Sequence, residues 1–474
     1  MKKKTIMIIM CIAILCMIVG YAAFSTTLKI NGTANIASTW QVLFTKIEEV
    51  SKTSGVTIKS APTASGTTAT FNLDVQFPGD TIVYKITVEN QGTIDAIIND
   101  ITASKTGNDA IKFNITGIKK GDILTKGTST TFNVEITYDV NTTEQPTDLN
   151  ETLTMEINYI QYAGQTIPSE DVIIKSPAPL VTKILADNNA QADTSIDFSQ
   201  ISSDTNGKGL YYTSTNTEDN KVTYYFRGDV QNNYVSFANN TWRIVRINED
   251  GTVRLIKQDS IGDSAFNETY DDNAYVGYMY GTPGSTTYAA THANTNSSTV
   301  KTTIDTWYQN NLTSYSSLIA DSGFCGDRSL SSGMGIGKTS TDYGAWGRLV
   351  DNKTPQFACP QSNDLYTTTT STKGNKALTY PIGLITADEV AYAGGVVGEE
   401  YEEYYLTKGD LFWTMSPLDF DPSARVWSVV DYGDVGSVAV DNEVGARPAI
   451  NLKSTVKVTG GDGTSSNPYV IKTN

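Results

Sequence analysis

Histidine and cysteine, which activate or act as nucleophiles and bind transition metals, are rare in this sequence. His292 is the only histidine among 474 residues, and it lies in the polar stretch "YAATHANTNSS". Beyond the N-terminal apolar segment, the only cysteines are Cys325 and Cys359. A nucleophile needs an adjacent base, and zinc or copper sites draw on histidine and cysteine. We therefore predict that His292 is a solvated loop residue, that catalytic residues are absent, and that the protein holds no metal centre.

Carboxylates offer a second kind of chemistry. The stretch "GEEYEEYYL" contains four glutamates, Glu399, Glu400, Glu402 and Glu403. Two carboxyl groups catalyse glycoside hydrolysis when one acts as an acid and the other as a base or nucleophile. The same composition also fits a solvated acidic loop, and this second interpretation is our prediction.

Two pairs of aspartates provide oxygen atoms at the close spacing that calcium requires. They are Asp271 and Asp272 in "YDDNAY", and Asp419 and Asp421 in "LDFDP". Calcium prefers such hard oxygen ligands, but neither pair fits the twelve-residue EF-hand loop. We predict no cofactor, and calcium at these loops stays open as the alternative.

Aromatic and polar residues near the C-terminus suit non-covalent binding. The stretch "FWTMSPLDFDPSARVWSV" holds two tryptophans fourteen positions apart, with a polar loop between them. Tryptophan and tyrosine give large contact areas at a low cost in conformational entropy, and they are frequent hot spots of interfaces. The candidate ligand-binding residues are Trp413, Asp419, Phe420, Asp421, Arg425, Trp427, Asp431 and Tyr432. If both tryptophans belong to the core, the loop Asp419–Arg425 is the remaining candidate.

The N-terminus predicts export. "MKKK" precedes an apolar run from Ile6 to Phe24, which is long enough for a helix to cross a hydrocarbon core of about 30 Å. The lysines stay cytoplasmic by the positive-inside rule, so the following residues lie outside. We predict that residues 1–24 are a membrane anchor, or a signal peptide cleaved after Ala22. The formal charge of -16 argues against nucleic acid as a partner.

Residues 25–162 are predicted to form an all-β, immunoglobulin-like sandwich. "TIVYKITVE", "TFNVEITY" and "TLTMEINYI" alternate apolar and polar residues with a period of two, as strands with one buried face do. "PGD" and "NQG" are turn signals, and about seven short strands with polar turns are typical of this sandwich. Residues 163–204 contain the proline-rich stretch "IPSEDVIIKSPAPLV" and are predicted to be a linker.

Residues 205–474 are predicted to form an α+β domain, because a few helices interrupt many short strands. "WRIVRINEDGTVRLI" predicts a hairpin with its turn at "NEDG". Apolar spacing predicts a helix in "STVKTTIDTWYQNNL", and "TADEVAYAGG" begins with a capping box formed by Thr386 and Glu389. The exported pair Cys325 and Cys359 is predicted to form a disulfide, with two free thiols as the alternative.

Several blocks of this C-terminal part resemble one family in the same order. They are "TYYFRGDVQNNYVSFANNTWRIVRINEDGTVRLI", "GFCGDRSLSSG", "LTYPIGLITADEVAYAGG", "FWTMSP" and "VGARPAINLKSTVKVTGGDGTSSNPYVI". They are similar to a domain of unknown function in surface proteins of Gram-positive bacteria. That family resembles the C-type-lectin-like fold, which formylglycine-generating enzymes and phage receptor-binding proteins share. The resemblance implies long loops on a compact sheet, with ligand contacts near the C-terminal strands.

Two N-terminal stretches and the spacing of the cysteines also bear on the family resemblance. "GYAAFSTTLKINGTANI" is similar to the start of exported fibre-forming proteins, and "FPGDTIVYKITVENQG" resembles a stretch common in surface-protein sandwich domains. Formylglycine-generating enzymes use two nearby reactive cysteines, whereas Cys325 and Cys359 are 34 positions apart. The activity is therefore not carried over to this chain.

These patterns together predict an exported, non-catalytic, adhesin-like binding protein of the cell surface. The N-terminal helix would hold it in the membrane, and the sandwich would act as a spacer. The C-terminal domain would bind an extracellular glycan or protein ligand. One alternative is a structural subunit of a surface or biofilm fibre, and another is an enzyme of the formylglycine-generating type.

Overall fold

Strands dominate this molecule, as the period-two alternation predicts. The computed structural model describes residues 38–146, 149–407 and 410–473, and the predicted anchor or signal segment 1–24 lies outside them. The content is 39% strand and 14% helix, which confirms a β-rich fold with several sheets. None of the helices in the described ranges is long and apolar enough to cross a bilayer.

The chain divides into two compact units. Among the described residues, unit 1 comprises residues 38–102, 110–145 and 155–173, and unit 2 comprises residues 103–109, 146, 149–154, 174–407 and 410–473. Part of the predicted linker is folded, because residues 174–204 belong to unit 2 and include helix α1, Leu180–Asp187. Leu180 and Ile184 of this helix are buried, so one apolar face of the helix is packed. The nearby prolines had instead predicted an irregular segment here.

The long strands in and around unit 1 are β1 Val42–Lys52, β2 Val56–Ser65, β3 Thr68–Val75, β4 Thr81–Asn90, β5 Ala96–Lys105, β6 Ile111–Thr116, β7 Ser129–Tyr138 and β8 Leu153–Gln161. Short strands are Lys119–Lys120, Ile123–Leu124 and Glu170–Asp171. One sheet has the order β1-β4-β7-β6, β5 pairs with β8, and β2 pairs with β3.

The strand predictions in unit 1 are confirmed in the arrangement of buried faces. On β4, buried residues alternate with partly exposed ones along the whole strand. Ile82 of β4 pairs with Ile136 of β7, and Ile86 pairs with Phe132. All four side chains are buried. A single face of this sheet therefore supplies the core, which is the outcome that strict alternation predicts.

The helices of unit 2 after α1 are α2 Tyr288–Thr291, α3 Thr299–Asn311, α4 Gly344–Trp346 and α5 Ala387–Ala393. Its longer strands are β9 Gly209–Thr213, β10 Thr223–Arg227, β11 Tyr234–Phe237, β12 Asn240–Ile247, β13 Val253–Lys257, β14 Leu330–Gly333, β15 Thr341–Tyr343, β16 Phe412–Phe420, β17 Ala424–Val429, β18 Val435–Ala439, β19 Ala449–Leu452, β20 Lys457–Gly460 and β21 Tyr469–Ile471. Short strands are Ile174–Lys175, Ala178–Pro179, Gln191–Ala192, Asp263–Ser264, Met279–Tyr280, Asn296–Ser297, Ile319–Ala320, Phe324–Cys325, Leu365–Tyr366, Ile382–Gly383 and Val444–Gly445.

Two large sheets build unit 2. The first runs β20-β21-β11-β12-β10-β9, and β13 pairs with both β12 and β19. The predicted hairpin is its centre, since Ile247 of β12 pairs with Val253 of β13. The second sheet contains β16, β15 and β14 in this order, and β17 pairs with both β16 and β18. An apolar core joins residues of both sheets.

Both predicted helices of unit 2 are confirmed. In α3, Val300, Ile304 and Tyr308 are buried at helical spacing. Before α5, the Thr386 hydroxyl accepts from the Glu389 amide and the Glu389 carboxylate accepts from the Thr386 amide, which forms the predicted capping box. Such reciprocal bonds satisfy two of the amide donors that a helix start leaves unpaired.

Candidate functional site

The predicted aromatic contacts of the ligand-binding patch lie in the core. Trp413 is 0% exposed, and its indole N–H donates to the Ser264 carbonyl oxygen at 2.8 Å. Trp427 and Phe420 are each 2% exposed. The prediction that these three side chains face a ligand is therefore wrong. Strand β16 is buried along its entire length, so both of its faces are covered.

The polar members of the patch do not form one surface either. Asp419 is buried and pairs with Arg425, whose Nε donates to its Oδ1 at 2.7 Å. Burial raises the pKa of Asp419, although the hydrogen bond from Arg425 opposes this shift. Asp421 is exposed before β17, whereas the exposed residues Asp431 and Tyr432 follow its end. A strand of six residues separates these turns by roughly 20 Å, so one small ligand does not span them.

His292 is buried, which contradicts the prediction of a solvated loop residue. Its Nε2 lies 3.0 Å from the Gly335 carbonyl oxygen and therefore carries the ring proton. The ring packs against Tyr288 and Tyr343, with a centroid separation of 4.4 Å from Tyr288. Burial lowers the pKa of His292 to about 3, and the nearby charge of Arg328 acts in the same direction. A neutral imidazole enclosed in this way is a packing element.

The other acidic residues that were considered as catalytic or calcium-binding groups lie in loops. The four glutamates of "GEEYEEYYL" are exposed, which confirms the solvated acidic loop. Asp271 is exposed and pairs with Lys338 at 2.9 Å. The buried Asp272 accepts from the amides of Ala274 and Gly284, so it is bound to the backbone. Within the described ranges, no group of three or more histidine, cysteine or acidic residues is placed to hold a metal ion.

A cleft in unit 2 is the site that sequence reasoning missed. Its volume is about 340 Å³, within the range of pockets that hold small ligands. Strands β12 and β13 with the residues that follow β12 form its floor, and the loop 214–221 forms one wall. Segments 321–325, 357–359 and 365–373 form the other side. The residues that line the cleft include Glu218, Asp219, Lys221, Arg246, Asn248, Glu249, Asp250, Arg254, Asp321, Gly323, Cys325, Phe357, Cys359, Leu365, Thr372 and Lys373.

The disulfide joins two of the segments that line one side of this cleft. Cys325 and Cys359 are bonded, with their Cα atoms 5.6 Å apart, and both residues are half-buried. The amide of Cys359 donates to Glu218 Oε1 at 2.7 Å, and the amide of Phe357 donates to the Asn216 carbonyl oxygen at 2.8 Å. The loop 214–221 is thus tied through segment 357–359 to the strand that carries Cys325. These links hold the cleft in one shape.

A buried ion network supports the floor. Glu389 Oε1 accepts from Arg246 Nε at 2.9 Å and from Arg254 Nη1 at 3.0 Å. Burial alone would raise the pKa of Glu389, but the charges of Arg254 and Arg246 lower it below its ordinary value. Burial lowers the pKa of Arg254 to about 10, and the Glu389 charge opposes that shift. The same glutamate therefore caps α5 and fixes two arginines under the cleft.

Two side-chain atoms of the lining residues that are closed to solvent have no hydrogen-bond partner among the described residues. They are Nη1 of Arg246 and Oδ1 of Asn248. Arg246 Nη1 lies 3.8 Å from Glu249 Oε1, which is beyond hydrogen-bond range. Buried polar groups are nearly always paired in folded proteins. Both atoms are closed to solvent, so they are not exposed in the cleft.

A comparison with protein-family models finds no match for this chain, and neither does a comparison with curated proteins.

Proposed function

We propose that this chain is an exported, non-catalytic binding protein of the cell surface, and that unit 2 holds its ligand. The observation that carries the proposal is the cleft, in which Cys325–Cys359 cross-links two lining segments and the Glu389 network supports the floor. A binding site built in advance loses less conformational entropy when its ligand arrives. The proposed binding site is therefore this cleft and not the loop Asp419–Arg425.

The finer fold assignments belong to the same proposal. We infer an immunoglobulin-like sandwich for unit 1 and a C-type-lectin-like fold for unit 2. The antiparallel sheets of unit 1 support the first assignment, and the long loops between the strands of unit 2 support the second. The apolar segment that follows "MKKK" supports export and attachment to the membrane. In this proposal unit 1 is the spacer, and the ligand is an extracellular glycan or protein.

Two measurements test the proposal. Protease treatment of intact cells should remove unit 2 while cytoplasmic proteins survive. The purified full chain, applied to arrays of glycans and extracellular proteins, should show saturable binding to at least one class. Protection of unit 2 in intact cells, or an array without saturable binding, would contradict the proposal.

One observation favours a second candidate, an enzyme of the formylglycine-generating type. The fold brings Cys325 and Cys359 together in the wall of the cleft despite their separation of 34 positions. Incubation with cysteine-containing peptides tests this alternative by mass spectrometry. Conversion of the peptide by the wild type, and its loss in Cys325→Ser, would support the enzyme over the binding protein.

A further inference from the structure

The disulfide of the cleft is placed to control the shape of the cleft. We propose that Cys325–Cys359 is a latch that a small thiol opens in the folded protein, and that loop 214–221 loosens when the latch opens. This inference rests on the proposed binding function and adds the regulation of its site. Three features carry it: access to the disulfide from the cleft, a loop in an unfavourable backbone conformation, and anchors that keep the rest of unit 2 folded.

The disulfide is accessible from the cleft. Cys325 and Cys359 both line the cleft, and each residue is half-buried rather than enclosed. The cleft volume of about 340 Å³ is large enough to admit a small-molecule thiol. Because the rate of thiol–disulfide exchange depends on access to a sulfur atom, we expect this disulfide to react without unfolding of the chain.

Reduction proceeds by two exchange steps. The thiolate of a small thiol attacks one sulfur of the disulfide, which forms a mixed disulfide and releases the other cysteine as a thiolate. A second molecule of the small thiol then displaces the remaining protein sulfur. The protein gains two electrons and two protons as two cysteine thiols, and two molecules of the small thiol become one disulfide. The reductant is therefore a low-molecular-weight thiol, and its disulfide reverses the reaction.

Loop 214–221 is held in a backbone conformation that costs free energy. Asn216, Asp219 and Asn220 have φ angles of 58°, 55° and 52°. These angles lie in the left-handed region, which asparagine and aspartate tolerate better than most residues but which is still unfavourable for them. Such a conformation persists where neighbouring contacts impose it. The loop is therefore expected to relax when those contacts weaken.

Three hydrogen bonds tie this loop to the segment that contains one end of the disulfide. The Asn216 carbonyl oxygen accepts from the amides of Phe357 and Ala358, at 2.8 and 3.0 Å. The Glu218 carboxylate accepts from the Cys359 amide at 2.7 Å. The disulfide in turn fixes Cys359. Its reduction therefore loosens the residue that holds Glu218 and weakens the link to the loop.

The residues on either side of Cys359 have anchors that do not depend on the disulfide. Before it, the Phe357 ring stacks on Tyr392 with the ring centroids 3.8 Å apart. After it, Asp364 accepts from Arg328 Nε at 2.9 Å and from the Arg328 amide at 2.7 Å. All four of these side chains are buried. Reduction therefore acts on the short stretch around Cys359 and on loop 214–221, while the rest of unit 2 stays folded.

The test uses the purified full chain, a small thiol and no ligand. The folded protein is incubated with β-mercaptoethanol, free thiols are alkylated, and peptide mass spectrometry locates the label. We expect labelling of both Cys325 and Cys359 in the absence of urea. Hydrogen exchange should then become faster by about tenfold or more at the Cys359 amide and in loop 214–221, while exchange at the Glu389 amide stays slow.

Two variants separate the disulfide from another link of the same loop. Joint replacement of Cys325 and Cys359 by serine should give the faster exchange without any thiol, and added thiol should not change it. Lys373→Ala removes the exposed ion pair between Lys373 Nζ and Asp219 Oδ2, which are 3.0 Å apart, and keeps the disulfide. Because exposed ion pairs contribute little, exchange in Lys373→Ala should match that of the wild type.

Labelling that requires urea would overturn the latch, because the disulfide would then be closed to thiols in the folded protein. Faster exchange at the Glu389 amide would also overturn it, since the disulfide would then hold unit 2 together as a whole. Labelling with unchanged exchange in loop 214–221 would disprove the link between the disulfide and the loop. None of these results involves a ligand, so each leaves the proposed binding function standing. Conversely, an array without saturable binding would contradict that function and leave the thiol response of the loop intact.

Discussion

Replacement of Glu389 by glutamine should destabilise unit 2 strongly, although the two side chains have nearly the same shape. Glu389 is 2% exposed, and one of its oxygens accepts from both Arg246 and Arg254. The other oxygen accepts from the Thr386 amide. Glutamine also serves at this position of a capping box. Glu389→Gln therefore removes the negative charge and preserves much of the helix cap.

The expected size follows from the buried charges that would remain. Removal of one partner from a buried ion pair costs about 3–5 kcal/mol, because the other charge is left uncompensated. Loss of a helix cap costs about 1 kcal/mol. Thr386→Ala is the matched control, since it removes the hydroxyl that caps α5 and leaves the three charges in place. We expect the free energy of unfolding to fall by about 3–5 kcal/mol in Glu389→Gln and by about 1 kcal/mol in Thr386→Ala.

Urea unfolding followed by tryptophan fluorescence measures both variants. Of the six tryptophans, all but Trp40 lie in unit 2, so the signal reports mainly on this unit. The pKa of Glu389 lies below its ordinary value of 4.5 in the folded protein. The stabilisation is therefore complete above that value and is lost as the pH falls through the folded pKa. A loss in Glu389→Gln no larger than that of Thr386→Ala at neutral pH would refute the role of the charge.

Three further predictions concern the disulfide and two buried rings. Joint replacement of Cys325 and Cys359 by alanine opens a loop spanning 34 positions, and urea unfolding should show a loss of about 3.8 kcal/mol by the chain-entropy relation; an unchanged midpoint would contradict this. Trp413→Ala should cost about 3–5 kcal/mol in the same assay, whereas an effect on binding without loss of stability would restore Trp413 as a ligand contact. Between the folded pKa of about 3 and the ordinary pKa of 6.5, His292 is protonated in the unfolded chain and neutral in the folded protein. The wild type should therefore lose stability as the pH falls through this window. His292→Gln should reduce that slope by up to about 1.4 kcal/mol per pH unit, and equal slopes in the two proteins would disprove the buried neutral state.

Local patterns in the sequence determined the elements of this fold. The alternation on β4, the apolar spacing of α3 and the capping box of Thr386 and Glu389 are each contained within a few residues, so each was predicted and is confirmed. The hydrophobic period identifies the buried face of an element, because residues two apart in a strand or three to four apart in a helix share that face.

Only the tertiary structure decided which surfaces remain open. Trp413 and His292 were assigned by the polarity of their sequence neighbours, but burial depends on what packs over a residue from elsewhere in the chain. The cleft joins Glu218, Arg246 and Lys373, which no local pattern relates. Its polar side chains lie together because distant segments of the chain meet there. Hydrophobic periodicity has a short range, whereas a binding site is made by long-range packing, and this difference separates what could be predicted here from what could not.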